Sequence, residues 1–357
     1  MFSFACDYLE GAHERLLSRL MASNRDQAPG YGQDPYTQGA VQAIRQACAC
    51  PEAEVYFTVG GTQTNKLVID SLLTDYRGVI AVDTAHINTQ ETGAVESRGH
   101  KILTISHDQG KLTAERLAAY LEAFEANPNR AHMVAPGMVY ITYPTELGTL
   151  YSKEELTQIY QICQDNDLPL YIDGARLGYG LMSPEADLTL AELAHLCDAF
   201  YIGANKIGAL CGEAIVFSQR PAPAYFPALV KQHGGLIAKG RLLGIQFDEL
   251  FKDGLYDELS QHAVNQGLAV KRIFEEAGYT FYTDSYTNQQ FVMLRPAEAA
   301  QLADHVGFST WGPTADGQVI LRFVTSWATT DAAIEALEDA VKHISLAKKL
   351  EPQAHIV

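Results

Sequence analysis

Short apolar runs alternate with amphipathic segments between about residues 55 and 218. The apolar runs predict strands, at 55–59, 79–82, 101–105, 138–142, 168–172, 198–205 and 213–217. The amphipathic segments between them predict helices, at 62–76, at 112–125 and from residue 152 onward. Ser152 and Glu155 form the capping-box pattern that opens the last of these. Regular alternation of strand and helix predicts a mostly parallel sheet covered by helices on both faces.

The pattern changes after about residue 247. A long helical stretch through Val270 is followed by predicted strands at 291–294 and 319–324 and by a last amphipathic helix. One face of that helix is apolar, with Ile334, Leu337, Val341 and Ile344. This mixture predicts a smaller α+β unit. We therefore expect three parts: an N-terminal arm that joins the small domain (1–12), a large domain (13–247) and a small domain (248–357).

Composition places the chain among ordinary globular proteins. It has 357 residues, of which 47% are hydrophobic and 19% charged, enough for one large core and a second, smaller unit. The formal net charge of −17 argues against nucleic acid or anionic membrane as a partner, because phosphate binding needs a positive field. An anionic cofactor in so acidic a protein needs local cations, so individual lysines and arginines can indicate where such a cofactor binds.

Targeting and cysteine patterns favour a cytoplasmic protein. No stretch approaches the roughly 20 apolar residues that cross a bilayer, and residues 1–7 lack the basic and apolar regions of a signal peptide. The six cysteines are scattered and form no Cys-x-x-Cys pattern. They predict reduced thiols and no zinc site.

Two strand ends carry the most informative pair of residues. The run 168–172 ends in Asp173, and Lys206 follows the run 198–205. A strand that ends in Asp and a later strand that ends in Lys form the layout of an enzyme that uses pyridoxal phosphate (PLP). The lysine amine holds the aldehyde as a Schiff base, and the aspartate keeps the pyridine nitrogen protonated. A lysine after an apolar run is, by itself, typical of a solvated strand end, but the aspartate favours the cofactor.

Two further segments carry candidate chemistry. Gly61 and Thr62 open a predicted helix after a strand, where glycine and free N–H groups form a phosphate cup; a plain turn is the alternative. His86 follows the strand at 79–82, at an edge where an imidazole can stack on a ring or move protons, with Glu91 close enough to orient it. A surface or capping histidine is the alternative there.

Two arginines are candidates for binding a carboxylate. Arg176 stands three residues after Asp173 and is expected to project into the same crevice. Arg322 lies inside an apolar strand, where an unpaired guanidinium is costly. It needs an anion, either a bound carboxylate in bidentate contact or an internal Asp or Glu.

Taken together, these segments resemble the threonine aldolase family, within the aspartate-aminotransferase-like fold (fold type I) of PLP enzymes. The resemblance covers nearly the whole chain in family order. Its segments are 4–7, 31–35, 61–65, 85–93, 173–176, Lys206 and 322–325. It implies an α/β large domain with a mostly parallel sheet and a smaller C-terminal α+β domain.

The resemblance also implies roles for individual residues. Lys206 would bind the cofactor aldehyde, Asp173 the pyridine nitrogen, His86 the ring, and Gly61 and Thr62 the phosphate. The substrate would contact Arg176 and Arg322, which hold its carboxylate, together with Cys6, Asp7, Tyr31 and Glu146. Lys239 or Arg241 of a neighbouring subunit would complete the phosphate site, which implies a homodimer or homotetramer with shared active sites.

The chain departs from the family pattern at several positions. Cys6 stands where serine is usual, and Asn205 precedes the lysine where serine or threonine is common. Glu146 lies in a segment where many members carry a histidine that touches the substrate hydroxyl. The base for the β-hydroxyl proton is therefore open between His86, Glu146 and a water molecule.

The expected activity is retro-aldol cleavage of a β-hydroxy-α-amino acid, such as L-threonine or L-allo-threonine, to glycine and an aldehyde. Other PLP reactions on this fold, β-elimination or transamination, are the nearest alternatives. A non-catalytic protein of the same fold is a further alternative, against which the intact Lys206, Asp173 and Arg322 speak.

Overall fold

The computed structural model describes residues 1–350, with side chains described through residue 345. The helices are α1 (Glu14–Ala22), α2 (Pro35–Ala47), α3 (Gly61–Leu72), α4 (His86–Thr89), α5 (Ala114–Ala126), α6 (Lys153–Asp165), α7 (Leu177–Leu181), α8 (Leu190–Ala194), α9 (Phe226–Gln232), α10 (Arg241–Leu250), α11 (Leu255–Glu276), α12 (Pro296–Ala303) and α13 (Asp331–Leu350). The strands are β1 (Glu54–Thr58), β2 (Arg77–Val82), β3 (Ile102–Ile105), β4 (Ala135–Thr142), β5 (Leu170–Asp173), β6 (Ala199–Gly203), β7 (Glu213–Phe217), β8 (Thr280–Phe281), β9 (Gln289–Leu294), β10 (Ser309–Pro313) and β11 (Val319–Val324).

The larger sheet has seven strands in the order β1-β7-β6-β5-β4-β2-β3. The pairs from β6 through β3 are parallel, and β7 runs antiparallel to both of its neighbours. Helices α3, α5 and α7 pack against its strands. The predicted α/β fold with a mostly parallel sheet is confirmed. Because parallel neighbours end at the same edge, residues that follow β4, β5 and β6 meet there.

Local signals placed the strands of the larger sheet, together with β9, β11 and α5, within a few residues of their predicted bounds. The capping box of α6 is present, since the Ser152 hydroxyl accepts from the Glu155 amide and the Glu155 carboxylate accepts from the Ser152 amide. The predicted helix at 62–76 ends earlier, at Leu72, because the chain turns at residues 74–77 before β2.

The helical stretch predicted to run unbroken from about residue 247 to Val270 is wrong in one respect. It divides into α10 and α11, because Asp253 (φ 54°) and Gly254 (φ 75°) adopt left-handed backbone conformations that a continuous helix excludes. Gly254 supplies the second of these at little steric cost.

The smaller sheet has four antiparallel strands in the order β10-β11-β9-β8. Its core includes Leu337, Val341 and Ile344 from the predicted apolar face of α13, and also Phe4 from the N-terminal segment. The Phe4 amide donates to the Gly307 carbonyl at 2.7 Å. The core of the larger sheet continues onto α11 as far as Val264, and the domain division at residue 247 stays a prediction.

Within residues 1–350, no helix combines the length and the apolar character needed to cross a lipid bilayer.

Candidate active site

A cavity of about 430 Å³ opens where β4, β5 and β6 end. Seven residues with predicted contacts to cofactor or substrate line it: Gly61, Thr62, His86, Glu146, Asp173, Arg176 and Lys206. Glu91, predicted to orient His86, lines it as well. The fold therefore brings together residues from five separate segments of the chain. Such convergence of ionisable groups in one concave site is typical of an active site.

Lys206 lies in the turn that follows β6, with its side chain at the cavity wall. The Tyr179 hydroxyl donates to the Lys206 carbonyl, and the Ile207 amide donates to the Ala204 carbonyl at 2.9 Å. These bonds hold the backbone of the turn in place. Burial lowers the pKa of the Lys206 amine, and the positive charge of Arg176 acts in the same direction. A lowered pKa enlarges the fraction of neutral amine, which is the nucleophilic form.

Asp173 is buried at the end of β5 and is held by three donors. Its Oδ2 accepts from the Asn65 amide at 2.8 Å and from the Tyr140 hydroxyl at 2.6 Å, and its Oδ1 accepts from the Ala175 amide at 3.0 Å. These hydrogen bonds fix the orientation of the carboxylate. A fixed anion in this cavity is suited to pairing with a protonated ring nitrogen.

The first turn of α3 forms one wall of the cavity. Gly60 precedes the helix and provides no side-chain cap, so the amides of the first turn have no side-chain acceptor. A Cβ on Gly61 would lie 3.0 Å from the Tyr201 hydroxyl oxygen, which leaves little space for any larger residue. Uncapped amides at a helix N-terminus bind anions. This geometry fits the phosphate of PLP, as Lys206 and Asp173 fit its aldehyde and its ring nitrogen.

His86 joins Asp173 through a chain of hydrogen bonds. Its Nδ1 lies 2.8 Å from Oε1 of Glu91, and Asn65 Nδ2 donates to that same oxygen at 2.8 Å. Asn65 also donates to Asp173, so one amide connects the two carboxylates. With Nδ1–H directed at a carboxylate, the Nε2 atom is left as the acceptor of the imidazole.

Glu146 is partly buried in the cavity wall beside His86. Its Oε1 accepts from the His86 amide at 2.8 Å, and its Oε2 accepts from the Thr142 hydroxyl at 2.8 Å. Burial raises the pKa of Glu146, while these hydrogen bonds oppose the rise. Both of its oxygens are therefore engaged by the protein.

The two arginines have different partners. Arg176 donates from Nε and Nη2 to the Asp7 carboxylate at 2.7 and 3.0 Å, and Asp7 is fully buried. Arg322 donates from Nε to the Ser309 hydroxyl at 3.0 Å and lies over the Trp311 ring. No carboxylate of the described residues is within salt-bridge distance of Arg322. An internal ion pair thus exists for Arg176, whereas the sequence had raised that alternative for Arg322.

Arg322 does not line this cavity, and four other predicted site residues also lie outside its wall. Cys6 is partly buried beside Tyr8, and Asp7 reaches the site only through Arg176. Tyr31 is half exposed, with the Lys231 amine 4.5 Å from the centre of its ring. Lys239 lies in a separate depression that it shares with Asp26 and Arg241.

Three residues of the site were not assigned from the sequence. They are Asn65, which links two carboxylates, Tyr201, which lies beside Gly61, and Glu213, which begins β7. All three line the cavity or hold a residue that does. Asn65 had been noted only as part of the turn, since nothing local reveals its distant partners. Glu213 had a usable signal: it is an ionisable residue at the head of an otherwise apolar strand, where burial is costly.

Comparisons with known proteins agree with this site. The beta-eliminating lyase family model matches residues 7–345. The low specificity L-threonine aldolase of a Pseudomonas species (strain NCIMB 10558) is 30% identical over 349 residues, which covers 96% of this chain and 97% of that protein.

Solved structures extend the comparison to the fold. The threonine aldolase of Leishmania major is 39% identical, with a TM-score of 0.93, and the match covers 97% of this chain and all of that one. A single mutant of Thermus thermophilus aspartate aminotransferase, 16% identical with a TM-score of 0.71 over 97% of this chain and 91% of that one, shares the fold alone. The chain therefore belongs to the threonine aldolase group of the beta-eliminating lyase family, whose members are PLP-dependent lyases of fold type I.

Proposed function

We propose that this protein cleaves the Cα–Cβ bond of a β-hydroxy-α-amino acid, such as L-threonine or L-allo-threonine, and releases glycine and an aldehyde. The observation that carries the proposal is the meeting of Lys206, Asp173 and the uncapped N-terminus of α3 in one cavity. Relatives named low specificity L-threonine aldolase, matched over nearly their whole length, support the reaction class.

Bound PLP supplies the electron sink for the bond that breaks. In our proposal Lys206 attaches the cofactor covalently, and the lowered pKa of its amine supports that role. Asp173 pairs with the ring nitrogen, His86 lies against the ring, and Gly61 and Thr62 bind the phosphate. These roles follow the chemistry of each group and its position on the cavity wall.

The substrate carboxylate requires a cation, and the two arginines are the proposed ligands. Arg322 has no internal carboxylate partner among the described residues, so we assign it the main contact. Arg176 uses Nε and Nη2 for Asp7 and keeps Nη1 for the substrate. Asp7 acts by orienting Arg176, and Cys6 lies next to this pair in the chain.

We propose His86 as the group that accepts the β-hydroxyl proton. Its Nδ1 is directed at Glu91, which leaves Nε2 free for the substrate. Glu146 is less suited, because both of its oxygens already accept hydrogen bonds. Its place in the wall next to His86 supports a role in binding the substrate side chain.

A second subunit is the proposed source of the missing phosphate cation. Arg241 donates to the backbone carbonyls of Asp26 and Asn24, which favours Lys239 as the residue that reaches a neighbour's site. Tyr31 would reach the substrate in the same way. The active unit is then a homodimer or a homotetramer of such dimers. The free cysteines favour a cytoplasmic location.

A product assay tests the reaction. The purified protein, loaded with PLP, is incubated with a panel of β-hydroxy-α-amino acids, and the products are identified. Glycine with an aldehyde is the expected outcome. Pyruvate with ammonia would indicate β-elimination, and a new keto acid would indicate transamination.

Covalent labelling tests the assignment of Lys206. Borohydride reduction of the loaded protein is expected to fix the cofactor on the peptide that contains Lys206, and Lys206→Ala to abolish turnover. Label on another lysine would contradict the assignment.

Subunit mixing tests the shared site. Lys206→Ala and Lys239→Ala are each expected to be inactive, but a hybrid dimer contains one site with both lesions and one with neither. Activity should return in part on mixing. A monomer by sedimentation, or no recovery despite subunit exchange, would contradict the shared site.

A further inference from the structure

Glu213 is a buried carboxyl group that lines the same cavity as Lys206, and the proposed function gives it no role. It is the first residue of β7, and it stands opposite Thr58 of β1 and Gly203 of β6. Residues that face each other across antiparallel strands share one face of the sheet, and Gly203 has no side chain to cover its neighbour. The Glu213 side chain thereby reaches the cavity wall although the residue is only 3% exposed.

The two oxygens of this carboxyl group differ. Oε1 accepts from Nδ2 of Asn205 at 2.7 Å, and Asn205 is the residue immediately before Lys206. The same Asn205 nitrogen lies 3.3 Å from the Val59 carbonyl oxygen. Glu213 therefore holds the turn that carries Lys206 against the end of β1.

Oε2 of Glu213 is buried without a hydrogen-bond partner. Leaving a buried polar atom without a partner is costly, so a carboxyl group in this position indicates a partner in the working enzyme. The atom belongs to a residue that lines the cavity, where Lys206 supplies an amine.

Lys206 and Asp173 are the charged side chains that act most strongly on Glu213. Lys206 lies after β6 and Asp173 at the end of β5, and their charges act on Glu213 in opposite directions. The remaining titratable groups that sense its charge are Tyr171 on β5, Tyr201 on β6, Cys211 before β7 and Tyr256 on α11. Burial raises the pKa of Tyr201 and of Tyr256 above their ordinary range, which keeps both phenols neutral.

Burial also works against charge on both members of the pair. It raises the pKa of Glu213 to about 8 and lowers the pKa of Lys206. In a dry site a neutral acid beside a neutral amine costs less desolvation than a carboxylate beside an ammonium group. The two groups titrate as a pair, so one proton can move between them without a change in net charge.

We propose that Glu213 is the proton partner of Lys206 during covalent attachment of the cofactor. Its carboxylate takes a proton from the Lys206 ammonium group, which leaves a neutral amine and a carboxylic acid. The amine attacks the aldehyde carbon and a C–N bond forms. The C–O bond then breaks, and the oxygen leaves as water with the proton that Glu213 returns. This proposal rests on the role of Lys206 under the proposed function.

The test measures the rate of cofactor attachment and does not depend on turnover of the amino acid. Cofactor-free protein is mixed with PLP, and the rate at which the visible absorbance of the lysine–cofactor bond appears is measured across a pH series. The wild type is expected to give a bell-shaped profile, because the amine must be neutral and the acid still protonated. Glu213→Gln is expected to be roughly 100-fold slower at the optimum, the lower end of what a positioned acid or base contributes. Its rate should rise with pH and lack the falling limb.

Glu249→Gln is the matched control, since Glu249 is also a buried glutamate but is paired with Arg15 on α1, away from the cavity. It should keep the wild-type rate and both limbs. A Glu213→Gln variant with the wild-type rate and profile would overturn the proposal, and so would a wild type whose profile has a single limb.

If circular dichroism shows that Glu213→Gln does not fold, a second variant with a shorter acidic side chain replaces it. Glu213→Asp keeps the acid, so attachment should be slower with both limbs retained. A folded Glu213→Asp with only the rising limb would overturn the proposal. Failure of the proposed function is recognised separately, because the reduced label would then lie on a lysine other than Lys206.

Discussion

Arg176 lines the cavity and Arg322 lies outside its wall, and the two partly buried guanidinium groups differ in their partners. Arg176, at the end of β5 in the larger sheet, is paired with the fully buried Asp7 in bidentate contact. Arg322, on β11 of the smaller sheet, has a hydroxyl, a backbone carbonyl and an aromatic ring as neighbours.

The pKa values of these groups show the same contrast. Burial would raise the pKa of Asp7, but Arg176 holds it below its ordinary value, with help from Lys206. Burial lowers the pKa of Arg322, and the nearby charge of Arg176 lowers it further. Arg322 thus lacks the compensation that Arg176 has. A cation that the fold leaves without an anion is suited to binding one from outside, whereas a paired cation chiefly stabilises the fold.

Removing Arg176 should give the largest effect. Arg176→Met leaves the Asp7 carboxylate buried without its cation, and breaking a buried pair in this way costs about 3–5 kcal/mol. The free energy of unfolding in urea measures the loss. The same substitution at the other arginine, Arg322→Met, is the control and should cost far less. Equal losses of unfolding free energy in the two variants would contradict the proposed difference between the two arginines.

Arg322→Lys tests the role of Arg322 in substrate binding. The change keeps the charge but removes the planar fork, and hydrogen bonds to charged groups contribute about 1.5–3 kcal/mol each. KM for the amino acid should rise roughly 10- to 100-fold, since each 1.4 kcal/mol is tenfold. The absorbance of bound cofactor and the urea midpoint should stay unchanged. A lower midpoint with an unaltered KM would instead assign Arg322 to the fold.

The pH dependence of stability gives the smallest of these effects. Because the pKa of Asp7 is lowered in the folded state from an ordinary value of 3.8, its contribution is present above that pH and is lost as the pH falls through the folded-state pKa. The loss is about 1.4 kcal/mol for each unit of lowering. Urea unfolding at a series of acid pH values, with Asp7→Asn/Arg176→Gln as the reference, measures it. Loss of the difference already well above pH 3.8 would contradict the prediction.

Much of the fold was predictable because its signals are local. Apolar runs and a capping box located the strands of the larger sheet and the start of α6. The break between α10 and α11 escaped prediction because it depends on backbone conformations at Asp253 and Gly254, which apolar periodicity does not report.

The candidate site was predictable where a residue follows a strand. Asp173 and Lys206 could be recognised because parallel strands end at one edge, so their positions in the chain already imply proximity. Asn65 and Glu213 could not be assigned in the same way, since their partners lie far away in the chain or were themselves unassigned.

The sequence by itself determined the alternation of strand and helix, and with it the edge at which the ionisable residues gather, because both follow from periodicity along the chain. Only the tertiary structure decided which charges are compensated. Arg176 and Arg322 looked alike as cations in need of an anion, yet Asp7 reaches one of them across 169 positions of the chain. Burial and distance act through space, and the order of residues alone does not specify either of them.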